Sequence, residues 1–210
     1  LHGSQRQPFE IRHLMRGYRQ LGTNPRFLLL ALASGVPFNG MFLYVLSAPA
    51  FLGEILRLEP TQFFWFFVCT IGGIMGGALI SGRLAGTIEP ARQIRIGFSV
   101  MLAVSLANLL ANVFFTAHVS WALFPIGLYA LGWAMMTPVV TLMVLDIDPA
   151  RRGMAASMQA FVGSASNGFV AGVIAPLVMH GAVSLAVASL LLMLVRSEER
   201  RVGKECRSRW

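Results

Sequence analysis

The side chains able to do acid–base or nucleophilic work are few, and none sits in an arrangement that catalysis requires. His2, His13, His118 and His180 fall in the N-terminal segment or at the edges of apolar stretches. No HExxH pair, GxSxG elbow or phosphate-binding glycine loop occurs. Asp146 and Asp148 stand next to Arg151 and Arg152, a spacing suited to capping and pairing around a helix start. Cys69 and Cys206 are the only cysteines, too few for a disulfide framework or a cysteine metal site. What remains is binding chemistry. Tyr129, Trp133, Thr137 and Thr141 recur every four residues, which on a helix aligns aromatic rings and hydroxyls in one narrow stripe. Pro138 breaks the backbone ladder beside it, and Met135 and Met136 add soft, deformable surface. Such a stripe serves either as core or as the wall of a substrate cavity. Asn39, two residues after Pro37, is an amide in apolar surroundings that either lines a cavity or bonds to a neighbouring helix.

The elements that position these groups follow from the charges. Asp, Glu, Lys and Arg are absent from Phe27–Gly53, Pro60–Gly82, Ile96–Leu145 and Gly153–Val195. A helix needs about 20 apolar residues to cross roughly 30 Å of hydrocarbon. The first two stretches are one helix long; the third divides at His118–Trp121 and the fourth near His180–Gly181, giving six crossings. A soluble all-α core would need polar helix faces, which these segments lack. With the N-terminal segment cytoplasmic, alternation puts Arg6, Arg12, Arg16, Arg19, Arg26, Arg83, Arg92, Arg95, Arg151 and Arg152 on one side and only Arg57 on the other. That asymmetry obeys the positive-inside rule and predicts both ends cytoplasmic. Basic residues spread between apolar spans beside anionic lipid do not form a nucleic-acid face.

Along the chain, residues 1–26 are expected to be a cytoplasmic linker. Phe9, Ile11, Leu14, Met15, Tyr18 and Leu21 form a helical apolar stripe backed by arginines, suited either to the membrane surface or to a solvated linker helix. Residues 27–195 form the six-helix bundle, with helices expected over about 27–52, 61–84, 96–117, 121–145, 153–179 and 182–195. The second contains Gly72, Gly73, Gly76 and Gly77, two overlapping GxxxG pairs, and the fifth contains Gly168 and Gly172. Such pairs let helices approach closely, and Gly72, Gly76, Gly168 and Gly172 are expected to carry the packing. Gln159, Ser164, Ser166 and Asn167 add polar groups to the fifth helix, and Asn108 and Asn112 lie one turn apart in the third.

Composition shifts abruptly after Val195. Residues 196–210, RSEERRVGKECRSRW, resemble residue for residue the conceptual translation of a short-read sequencing adapter and are expected to be non-native. Setting aside their six basic and three acidic residues lowers the formal charge from +8 to +5. At about 1.5 Å per residue, 182–195 spans about 21 Å, short of a bilayer, so the sixth helix is expected to be truncated.

Several short motifs resemble the major facilitator superfamily, specifically the C-terminal half of a Bcr/CflA-type drug–proton antiporter. Gly40-Met41-Phe42-x-Tyr44 and Pro49 after an arginine-rich lead-in are similar to its seventh helix, and Leu58-x-Pro60-Thr61-Gln62-Phe63 to the entry of the eighth. Gly82-Arg83 with the basic run to Arg95 resembles a degenerate loop between paired helices, and Pro149-x-Arg151-x-Gly153-x-Ala155 the junction of the tenth and eleventh. The resemblance implies an all-α polytopic membrane protein, helices seven to twelve of a twelve-helix fold, whose N-terminal half with its coupling acid lies outside this sequence. It implies a secondary transporter in a bacterial inner membrane, exchanging amphipathic drugs or metabolites for protons, with lipid, drug and protons as partners and neither cofactor nor metal. Asn39, Phe42, Tyr44, Trp133, Met136 and Thr137 would contact substrate. The rival readings are a facilitator for a sugar or other metabolite, which would need a more polar cavity, and a non-transporting membrane scaffold.

Overall fold

The computed structural model describes residues 11–194, and its regular elements are all helical. The expected non-native segment 196–210, the first ten residues and the side chains of 11–14 lie outside the described parts. α1 covers Ile11–Gly22 and α2 covers Pro25–Leu46. Asn24 starts α2: its side-chain oxygen accepts from the backbone N–H of Arg26 at 3.0 Å and of Phe27 at 3.4 Å, while Pro25 supplies a preset φ. Asn24→Ala is expected to cost about 1 kcal/mol, read as a lower melting temperature of the purified chain in detergent.

α3 runs Phe64–Leu84 after a 3₁₀ turn at Pro60–Gln62, and α4 runs Pro90–Phe114. α5 is the short turn Val119–Ala122 and α6 covers Phe124–Leu145. α7 is Arg152–Phe169, α8 is Ala175–Val178 and α9 is Ala182–Leu194. α2, the 60–84 segment, α4, α6 and the 149–178 segment are each long and apolar enough to span a bilayer, and the 13-residue α9 is shorter. α4 starts six residues before the expected Ile96, so Arg92 and Arg95 occupy its first turns. Pro90 at the helix start favours the earlier boundary, and long arginine side chains can carry their charge to the headgroups while their stems stay apolar. Two expected helices continue through wide π-helical turns, Pro49–Ile55 after α2 and Val170–Ile174 after α7. Proline supplies no N–H to the preceding turn, and Pro49 and Pro176 lie at these two places.

The packing has an internal twofold pattern between the triplets α2–α3–α4 and α6–α7–α9. α2 packs on α7 and α9 of the other triplet, and α6 packs on α3 and α4. The two first helices meet as α2 against α6, and the two third helices as α4 against α9. Successive membrane crossings alternate direction, so the second triplet starts from the opposite side and the repeats are inverted.

Glycine sets the closest crossings. A Cβ on Gly73 would collide with the Gly127 carbonyl oxygen and one on Gly77 with that of Leu131, so α3 and α6 touch backbone to backbone. Gly97 and Gly132 do the same for α4 and α6, where a Cβ on Gly97 would lie 2.7 Å from the Gly132 oxygen. This corrects the expectation for the glycine pairs. Within this bundle a methyl added at Gly72, Gly168 or Gly172 would meet nothing within 4 Å, and one at Gly76 would make only an ordinary contact at 3.6 Å. The working pair is 73/77, one residue along from 72/76.

At the arginine-rich side α1 docks on the start of α7. The Tyr18 and Ser157 hydroxyls are 2.9 Å apart, Arg151 donates to the Gln20 amide oxygen at 3.1 Å, and Leu21 is buried with Phe27, Ala31, Val144 and Ala155. Asp146 pairs with Arg152 at 2.8 Å and Asp148 with Arg151 at 3.9 Å, so the two carboxylates pair as their spacing suggests, without a side-chain cap on α7.

Candidate functional site

The stripe Tyr129, Trp133, Thr137 and Thr141 on α6 lies toward α2 and α7. Proline in α2 bends the chain and leaves carbonyls open to other donors. Two side chains of the stripe use carbonyls in this region: the buried Tyr129 hydroxyl donates to the Pro37 oxygen at 2.7 Å, and the Trp133 indole N–H reaches the Ser34 oxygen at 3.4 Å. Further along, the Gln159 amide of α7 donates to Ser34 Oγ at 2.9 Å and to Thr141 Oγ1 at 3.3 Å, and the Ser34 hydroxyl donates to the Ala31 carbonyl at 2.8 Å. α2, α6 and α7 are thus joined by hydrogen bonds that need no charge, which suits a medium with no water to satisfy polar groups.

Beside this polar seam is an aromatic surface. Phe38 stacks on Phe42 with ring centres 5.3 Å apart and leans on Trp133 at 5.0 Å. All three rings are half-buried, so each remains partly accessible. Thr137 is half-buried next to them, although its hydroxyl donates back to the Trp133 carbonyl at 2.8 Å. The four residues that make this surface carry no charge. Flat apolar groups can stack there, and shape and dispersion rather than a fixed ion pair would select them.

The remaining expected contacts are elsewhere. Tyr44 lies two residues from Phe42, about 200° around a helix, and therefore on the opposite face. It is buried among core side chains, its hydroxyl accepts from the Asn108 amide at 2.8 Å, and its ring meets Phe51 edge-on. Met136 is fully buried against α4, its Cβ close to Gly97. Asn39 is also fully buried: its Nδ2 donates to Ser166 Oγ at 2.6 Å, which is the helix–helix reading, while its Oδ1 has no hydrogen-bond partner among the described residues. In this conformation Asn39, Tyr44 and Met136 offer no surface to a ligand. The aromatic face gains Phe38 instead, a residue whose i,i+4 spacing from Phe42 was the available signal. Among the described residues, no three His, Cys, Asp or Glu side chains gather as a metal-holding group.

A family model described as Major Facilitator Superfamily matches residues 2–176. The chain is similar to "Multidrug resistance protein MdtM" of Salmonella typhimurium, 29% identical over 135 residues. That alignment covers 63% of this chain and 32% of the relative, so the match spans about a third of the relative's length.

Proposed function

Because this chain belongs to the Major Facilitator Superfamily, a family of transporters rather than enzymes, we propose that it forms one six-helix half of a Bcr/CflA-type multidrug exporter. The protein exchanges amphipathic drugs or metabolites for protons across a bacterial inner membrane, with the arginine-rich side and both ends in the cytoplasm. A second six-helix half completes the central cavity and carries the coupling carboxylate. Phe38, Phe42, Trp133 and Thr137 contact the substrate, while Asn39, Tyr44 and Met136 hold α2 and α6 behind them.

The observation that carries this reading is the uncharged, half-buried aromatic face on α2 and α6. A sugar carrier binds through many directed hydrogen bonds, because each buried polar group left unpaired is costly. Here most polar groups next to the rings are already engaged with the protein itself: Thr137, Ser34, Gln159 and Tyr129 all have partners. The similarity to a protein named for multidrug resistance supports the same substrate class.

Deletion of the intact gene is expected to raise the sensitivity of the host to amphipathic drugs, with restoration by the wild-type gene. Unchanged sensitivity to every such drug, together with impaired assembly of another membrane complex, would favour a scaffold role. Loss of uptake of a sugar or other polar metabolite would favour the facilitator.

A further inference from the structure

At the centre of the internal twofold pattern, where α2 meets α6 and α4 meets α9, the four helices leave a cavity of about 10 Å³. Its wall includes Tyr44 from α2, Ser105 and Asn108 from α4, Tyr129 from α6 and Ser189 from α9. That size matches a single water molecule, which needs about one probe sphere of free volume and two to four polar partners. Two hydroxyls in the wall have unmet needs. Ser105 is 5% exposed and its Oγ has no hydrogen-bond partner among the described residues. Tyr44 is 3% exposed; its oxygen accepts from the Asn108 amide, which leaves its own proton to be donated. Asn108 Oδ1 accepts from the Asn112 amide at 3.1 Å and has a second lone pair.

We propose that this cavity is a binding site for one structural water that bridges Tyr44 to Ser105 and so joins α2 to α4 inside the membrane. The water accepts the Tyr44 proton, exchanges a hydrogen bond with Ser105 Oγ and donates its remaining proton toward Asn108 Oδ1. In a hydrocarbon environment neither hydroxyl has bulk solvent to turn to, so the bridge removes two desolvation penalties at once. The site lies beside Gly40, where α2 and α6 approach so closely that a Cβ would meet the Tyr129 hydroxyl, and where the Ser189 hydroxyl donates to the Gly40 carbonyl at 2.9 Å. The water therefore lies next to the close contact between α2 and α6. This assignment does not depend on the transported substrate.

The test is a structure of the chain in lipid at a resolution that shows ordered solvent. The expected result is one solvent peak within hydrogen-bond reach of both Tyr44 Oη and Ser105 Oγ. A cavity without a peak, or a Ser105 hydroxyl turned back to the Met101 carbonyl one turn earlier, would overturn the proposal. A second measurement uses Tyr44→Phe, Ser105→Ala and the double variant. Each single change is expected to raise the unfolded fraction about five-fold at a fixed denaturing condition. Acting through one shared water, the double variant should do little more than either single one; effects that multiply would contradict the bridge.

Discussion

Replacing Gly73 with valine is expected to destabilise the bundle by roughly 3 kcal/mol or to prevent its assembly, whereas Gly72→Val is expected to change stability by less than about 0.5 kcal/mol. The adjacent positions differ because α3 meets the α6 backbone along the 73/77 side. A side chain on Gly73 runs into the Gly127 backbone, which cannot move aside as a flexible side chain could. The added bulk would have to push apart two helices that also hold the α6 stripe in place. On Gly72 the same side chain enters open space within this bundle. Circular dichroism melts of the purified chain in one detergent decide the matter. Equal melting temperatures for the two variants would show that the helix register is wrong.

Trp133→Ala is expected to weaken binding of a lipophilic cationic dye by about 30-fold or more, while Trp133→Phe keeps it within about three-fold. Buried or half-buried tryptophans at binding surfaces commonly account for about 2 kcal/mol or more, and about 1.4 kcal/mol is a factor of ten. Trp133 closes the aromatic face against Phe38, and its N–H fixes its orientation on the Ser34 carbonyl. Phenylalanine loses that hydrogen bond but retains the stacking plane. The comparison separates ligand contact from packing, since both variants disturb the helix interface and only one removes the ring. Binding is read by fluorescence anisotropy of the dye with the protein in lipid nanodiscs. Equal losses for alanine and phenylalanine would assign Trp133 to the core.

Most of the architecture was legible because a bilayer imposes one dominant rule: charge cannot stay in hydrocarbon. Runs without Asp, Glu, Lys or Arg therefore mark spans with little ambiguity, and all five long helices lie where those runs predict them. Helix boundaries were less legible. Arg92 and Arg95 read as loop residues, yet they sit in the first turns of α4, because an interface tolerates charge on helix and loop alike. Which face of a helix packs was least legible of all. A soluble helix reveals its buried side by a polar back, but α3 is apolar all round, so its four glycines allow two registers about 100° apart. Only the contact with Gly127 and Leu131 distinguishes them.

The same limit shaped the reading of the site. The α6 stripe was visible because hydroxyls at a four-residue interval are rare in an apolar helix, and Tyr129, Trp133 and Thr141 do bond to α2 or α7. On α2 the family-like segment ending in Tyr44 grouped two aromatics that a helix places on opposite sides. Counting turns separates them: Phe42 goes with Phe38, and Tyr44 goes with Asn108. Asn39 follows the helix–helix reading, with its amide tied to α7 and its oxygen unpartnered among the described residues.

The proposed export of amphipathic drugs in exchange for protons would run along this aromatic face. Its most direct test is a dye-transport assay in inverted membrane vesicles energised by a proton gradient, comparing the intact wild-type protein with its Trp133→Ala form at equal expression. Dye accumulation is expected to collapse when the gradient is dissipated and to fall at least ten-fold in the variant. Accumulation that survives either change would contradict the proposal, the first by removing proton exchange and the second by placing the substrate elsewhere.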